Sequence, residues 1–117
     1  MALDVRTKRV YAPPERSDGY RVLIDRVWPR GVSRDRARLD EWARELAPSD
    51  ALRKWFGHDP GRFREFSERY REELRDCADS IGALRDRAAR GPVTLVYGAR
   101  DQQHNNAAVL AELLRGR

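Results

Sequence analysis

With one cysteine in 117 residues the chain has no internal disulfide, and it is long enough to bury a core without one. No apolar run approaches the roughly 20 residues that a transmembrane helix needs, so no membrane partner is expected. The amino end carries no charged, apolar and small-residue leader, which with the single thiol makes a reducing cytoplasm the expected compartment. The chain contains no P-loop, no G-x-G-x-x-G, no G-x-S-x-G and no C-x-x-C. The usual sequence support for NTPase, dinucleotide, serine-hydrolase and thioredoxin chemistry is therefore absent. A zinc site built from His58, His104 and an aspartate has no ligand spacing behind it, so neither metal nor cofactor is expected.

Lysine is scarce as well: 22 of the 24 basic residues are arginine, in a chain of formal charge +5. A basic balance points toward nucleic acid or an anionic small molecule. Most of the arginines, however, alternate with Asp and Glu along predicted helices, and no block of five like charges occurs. The general charge therefore reads as solvated helix faces, and a functional role falls to particular arginines.

The pattern along the chain is that of a single α/β domain over residues 1–117, with no repeat or linker. "VRTKRVY" (5–11) is a β-branched and aromatic run stopped by Pro13 and Pro14, and "YRVLIDRV" (20–27) is a stronger strand. Val22 and Ile24 are placed on one face of that strand and Leu23 and Val27 on the other, as in a central strand covered on both sides. Ser33 caps a predicted helix reaching Leu46, with Leu39, Trp42, Ala43 and Leu46 at i, i+3, i+4 and i+7. Ser49 caps a second helix, "DALRKWF", that Gly57 stops, and Asp59 before Pro60 opens a third.

From Phe63 to Ala88 apolar residues recur at three- and four-residue spacing. One continuous helix of that register would be about 45 Å long, more than a domain of this size spans, so a break is predicted at "DSIG" (79–82). "VTLVYGA" (93–99) is a buried strand, "RDQQHN" the loop after it, and Asn105 or Asn106 begins the last helix. The predicted fold is α/β, a small, mostly parallel sheet of about three strands covered by several helices. The strands at 20–27 and 93–98 are expected to be parallel. The first strand is joined by a connection too short for a crossover helix, which favours a hairpin, although an extended loop could return it parallel.

Parallel strands at 20–27 and 93–98 would bring "DRVWPRG" (25–31) and "GARDQQHN" (98–105) to the carboxyl edge of the sheet, where open α/β sheets bind ligands. Asp25, Arg26, Trp28, Arg30, Arg100, Asp101 and His104 then converge, joined by Lys54 and His58 from "RKWFGHD". The amino end of the last helix, with Asn105, adds unpaired N–H groups. This set suits an anion pocket in which Arg26, Trp28, Arg30, Lys54, His58, Arg100 and Asn105 bind and His104, Asp25 and Asp101 move a proton. Each residue also has a structural reading. Asp25 and Arg26 could tie loop backbone, Trp28, Trp42, Trp55 and Phe56 sit in apolar registers that favour a core or crevice walls, and Cys77 lies in a helical seam.

The segments "RVYAPP", "DGYRVLIDRVWPRG", "LDEWARELAPS", "LRKWFGHDP", "RFREFSERYREEL" and "GPVTLVYGARDQQHNNAAVL" occur in order over nearly the whole chain. On them the chain resembles the small bacterial proteins of domain of unknown function 488, the YeaO-like branch. The resemblance implies a small cytoplasmic α/β domain and no established activity. Longer members of the wider grouping carry an Asp-Val-Arg-x-x-Pro stretch, similar to Asp25, Arg26 and Pro29 in a shifted spacing. They also carry a Cys-His-Arg triplet, of which this chain keeps His104 but has Gln103 and Asn105 at the other two positions. The thiol of such a mechanism is missing here.

Three function classes follow: an enzyme acting on a phosphate-bearing small molecule or nucleotide, a nucleic-acid-binding or regulatory module, and a non-catalytic structural or interaction domain. A specific anion crevice distinguishes the first, steep salt dependence the second.

Overall fold

The computed structural model describes residues 3–117. Four strands, β1 (Val5–Arg9), β2 (Tyr20–Leu23), β3 (Glu41–Trp42) and β4 (Val93–Tyr97), form one sheet in the order β1-β4-β2-β3, and every pairing is parallel. The helices are α1 (Arg34–Ala37), α2 (Asp50–Phe56), α3 (Phe63–Leu74), α4 (Ala78–Arg90) and α5 (Asn106–Leu114). Among the described residues no helix is long and apolar enough to cross a membrane.

β4 is the strand around which the others arrange. All five of its residues are buried, and both of its edges are paired, Val5 and Tyr20 each lying beside Val93. The hairpin favoured for the first two strands is therefore not formed. β1 lies across β4 from β2, and the connection of residues 10–19 returns parallel to it. An extended chain of that length reaches about 33 Å, enough to run back along a five-residue strand.

The two faces of the sheet are covered differently. Val5, Val22, Ile24, Val93, Leu95 and Tyr97 pack with apolar residues of α2 to α5 in the main core, including Phe66, Tyr70, Leu84 and Leu110. On the opposite face Val10, Leu23, Ala37 of the one-turn α1 and Val96 make a smaller cluster beneath Trp28, Val32 and Leu39 from loops and Trp42 from β3. The helix predicted from Ser33 to Leu46 divides for this reason. Ser33 does cap a helix, but Arg38 turns into the left-handed region (φ 47°) and ends it after Ala37. Leu39 and Trp42 then serve the smaller cluster while Ala43 and Leu46 enter the main core. The helical spacing was met by residues that face opposite sides of the sheet, and between them β3 adds a fourth strand.

Two further expectations are corrected. Val27 is 59% exposed, because the strand ends at Leu23 and the chain has left the sheet by that residue. The break between α3 and α4 falls at a tight turn over Arg75–Cys77, not at 79–82; there Cys77 donates its thiol to the carbonyl of Glu45 (3.2 Å). Leu74 and Ile81 both stay in the core across this turn.

The loop-covered face has an ionic centre. Asp18, 5% exposed, accepts from Lys8 Nζ (2.9 Å), Arg21 Nη1 (2.6 Å) and the backbone N–H of Glu15 (3.0 Å). Arg21 also donates to the carbonyl of Ala37 (2.8 Å), and Thr94 donates to that of Asp18 (2.7 Å). Burial pushes the Asp18 carboxyl up, but the Glu15 N–H, Lys8 and Arg21 together outweigh it and hold the group below its usual value. Its contribution to stability is thus present above the unfolded-chain value of about 3.9 and is lost as the pH falls below it.

Asp18→Ala should lower the unfolding free energy by about 3 kcal/mol, since it leaves two cations without their buried partner. Urea denaturation at neutral pH measures this. The variant should also lose less stability than the wild type between pH 5 and 3, by about the share that Asp18 supplies.

Candidate functional site

At the carboxyl ends of the two central strands the chain crosses itself at Asp25. Its Oδ2 accepts from the backbone N–H of Gly98, just after β4 (2.8 Å), and its Oδ1 from Asn106 Nδ2 at the start of α5 (3.1 Å). Asn106 Nδ2 also reaches the carbonyl of Ile24 (3.0 Å), and Trp42 Nε1 donates to that of Asp25 (2.7 Å). Glycine gives the Asp25 carboxylate room at position 98: a Cβ there would sit 3.0 Å from Oδ2, and the carboxylate would have to shift. Burial raises the Asp25 carboxyl above the usual carboxylate range, and the Asn106 amide and Gly98 N–H only partly oppose it.

Beside this carboxyl opens a crevice of about 600 Å³, within the range typical of small-ligand sites. Its inner wall is apolar, with Pro48 and the stacked pair Phe56 and Phe66 (ring centroids 4.3 Å apart). Its mouth carries three exposed cations, Arg26, Arg53 and Arg100, with the exposed His58 beside them. Arg26 Nε donates to the carbonyl of Pro48 (3.2 Å). Asp50 lies beside two of the mouth residues, 3.3 Å from Arg53 and 4.0 Å from Arg26. His58 follows the helix-ending Gly57, and both are left-handed, with φ of 57° and 54°. That conformation is costly for a residue with a Cβ, and here it turns the chain at the edge of the crevice.

The far side is the loop into α5. Asp101 Oδ1 accepts from the N–H groups of Gln103 (2.8 Å) and His104 (3.0 Å), while its Oδ2 lies 2.8 Å from His104 Nδ1. The N–H of Gln103, then the His104 contacts, hold the Asp101 carboxyl below its usual value. Asn105 caps α5 by accepting from Ala108 N–H (2.8 Å), and its amide donates back to the carbonyl of Asp101 (2.9 Å). This internal bonding fixes the loop without a ligand.

Of the residues predicted to converge, Asp25, Arg26, His58, Arg100, Asp101 and Asn105 line the crevice. The structure separates the other four from it. Trp28 packs on the loop-covered face, edge-on to Trp42 at 5.2 Å, and donates to the carbonyl of Val32 (2.6 Å). Arg30 is exposed on the turn beyond, where its carbonyl accepts from Tyr11 (2.9 Å). Lys54 is exposed on α2, outside the lining. His104 is turned edge-on to Phe63, 5.1 Å between ring centroids, so its imidazole serves the loop. Conversely Arg53, Asn106 and Phe66 line the crevice without having been singled out, while Phe56 is the crevice wall that its register allowed. Arg53 was legible in principle. It lies three residues before the buried Phe56, one helical turn away on the same side of α2, whereas Lys54 is rotated off that face. Among the described residues no three His, Cys, Asp or Glu side chains are grouped to hold a metal ion.

A family model described as the inactive DUF488-N3 subclade matches residues 4–117. The chain belongs to that subclade. An uncharacterized protein of Mycobacterium tuberculosis (strain ATCC 25618 / H37Rv) is 47% identical over 113 residues, covering 97% of this chain and 95% of the relative. An uncharacterized protein of Mycobacterium bovis matches to the same extent. The uncharacterized protein YeaO of Escherichia coli (strain K12) is 43% identical over 113 residues, 97% of this chain and 98% of YeaO. No solved structure gives a significant match.

Gly98→Ala tests the crossing at Asp25. The added methyl would displace the carboxylate, and denaturant unfolding should show a loss of about 1–3 kcal/mol. Asp25→Ala should cost about as much by leaving the Gly98 and Asn106 donors unpaired, and the double variant should cost less than the sum, because both act on one contact.

Proposed function

We propose that this DUF488-N3 protein binds a small phosphate-bearing anion in the crevice at the carboxyl edge of its sheet and does not turn it over. The observation that carries the reading is the mouth of the crevice. Three arginines from three separate segments, the loop after β2, helix α2 and the loop after β4, surround one opening. Planar guanidinium groups arriving from different directions suit the oxygens of a phosphate, and charge-assisted hydrogen bonds are the stronger ones available to such a group. The amino end of α5, where Asn105 and Asn106 line the same space, adds the pull of the helix dipole.

The lining argues against catalysis. It contains no cysteine, serine, threonine, tyrosine or lysine. Gln103, which stands where longer relatives have the cysteine of the triplet, is exposed outside it. The imidazole of His104, outside the lining, is engaged by Asp101. The description of the subclade as inactive agrees with a site that retains its pocket but not its nucleophile.

A general nucleic-acid surface is less well supported. On α3 and the turn that follows it the arginines are interleaved with partners, Arg64 with Glu68 (3.7 Å), Arg69 with Glu65 and Arg75 with Glu72 (3.3 Å), so that segment presents mixed charge and no basic stripe.

Isothermal titration with inorganic phosphate and with sugar and nucleoside phosphates tests the proposal. Arg53→Ala and Arg100→Ala should each weaken binding about tenfold, the loss of one charge-assisted contact of about 1.5 kcal/mol. Arg30→Ala should leave it unchanged. The ligand should be recovered intact after prolonged incubation. Absence of binding by every phosphate compound, or equal loss in Arg30→Ala, would overturn the assignment.

A further inference from the structure

The crevice is more than an anion site, because its inner end is apolar and carries hydrogen-bonding groups that no phosphate needs. The Phe56–Phe66 stack and Pro48 form a wall next to the Asp25 carboxyl. Each Asp25 oxygen accepts one hydrogen bond from the protein, which leaves a further lone pair on each. Asn106 spends its amide nitrogen on Ile24 and Asp25, while its Oδ1 accepts from no group among the described residues. No buried side-chain oxygen or nitrogen among the described residues lacks a partner, so this Oδ1 reaches open space, and Asn106 lines the crevice. Two acceptors next to an apolar wall therefore await a donor on a flat ring, with the cationic mouth at the exposed end.

We propose that the ligand is a nucleoside monophosphate with an amino group on its base. The heterocycle lies against the apolar wall, its amino N–H groups meet Asp25 and Asn106 Oδ1, and its phosphate is held at the mouth by Arg26, Arg53 and Arg100. This rests on the anion-binding reading and specifies its ligand. A bare phosphate or sugar phosphate leaves the wall uncovered and the two acceptors to water. A base without an amino group offers fewer donors to those acceptors, and a site built to receive a donor discriminates against a ligand that lacks it. The mouth should also set a limit on size, since an oligonucleotide adds phosphates for which the crevice has no further arginine.

Ligand-side changes test this without disturbing the fold. Titrations of the full chain would compare ribose 5-phosphate, AMP, CMP and GMP with purine riboside 5′-monophosphate, UMP and IMP, and with a 5′-phosphorylated pentanucleotide. At least one amino-bearing monophosphate should bind ten times or more tighter than ribose 5-phosphate, and about tenfold tighter than its amino-lacking counterpart. Arg53→Ala should weaken all of the monophosphates by a similar factor. If ribose 5-phosphate equals the nucleotides, the base has no role and the inference fails while the anion site stands. If amino-bearing and amino-lacking partners bind alike, the roles of Asp25 and Asn106 fail. A pentanucleotide that binds more tightly than every monomer overturns the choice of a free nucleotide. If no phosphate compound binds at all, the anion site fails as well.

Discussion

The carboxyl of Asp25 joins the ends of both central strands to the first turn of the last helix. Gly98, Asn106 and Trp42 all reach this one residue, from the exit of β4, from α5 and from β3. A parallel sheet has no tight turns to hold its strand ends together, so something else must fix where the chain goes after each strand. Here one side chain does so for β2 and β4 at once. A structural role and a place in the crevice lining are therefore not alternatives at this position. The same hydrogen bonds that keep the strand exits in place also present the carboxyl to the crevice, and its burial among them raises it above an ordinary carboxylate.

The sheet is covered on one side by helices and on the other by loops, and each side solves the problem differently. The helical side is apolar throughout, built on Phe66, Tyr70, Leu95 and Leu110. Loops bury less apolar area, and the thinner face gains its definition from Asp18 and its three donors. A buried ionic centre adds little net stability compared with a good apolar core, but it is specific. It pins the 10–18 connection over the sheet, and so keeps β1 on the far edge of β4.

Much of this was readable from residues alone, and where it failed the reason is local. "VTLVY" and "YRVLI" carry apolar residues on both faces, which is enough to place them in the middle of a parallel sheet, and Ser49 and Gly57 bound α2 where they stand. The segment 33–46 misled because Leu39, Trp42, Ala43 and Leu46 have helical spacing yet split between two faces of the sheet. Nothing in a periodicity says which side of a sheet a residue serves. The connection at 10–19 misled because its length suits a hairpin as well as a return loop, and the choice is made by Asp18, whose partners Lys8 and Arg21 lie outside it. At the site, the residues next to strand ends were legible from the rule that ligands gather there. Trp28, Arg30, Lys54 and His104 were not, because proximity in sequence does not set direction, and each points to the far face, to solvent or to its own loop.

Asp50 gives the mouth of the crevice a further property. It stands at 3.3 Å from Arg53 and 4.0 Å from Arg26, on the exposed start of α2. Two guanidinium groups that would otherwise repel each other are held near one opening by an anion of the protein's own. Under the proposed reading an incoming anion would exchange with an internal one and would not meet bare cations. The exchange is cheap, because an exposed pair of this kind is worth about 1 kcal/mol at most. It nonetheless means that the free protein already keeps its arginines close to where a ligand would want them, with the aspartate as a placeholder.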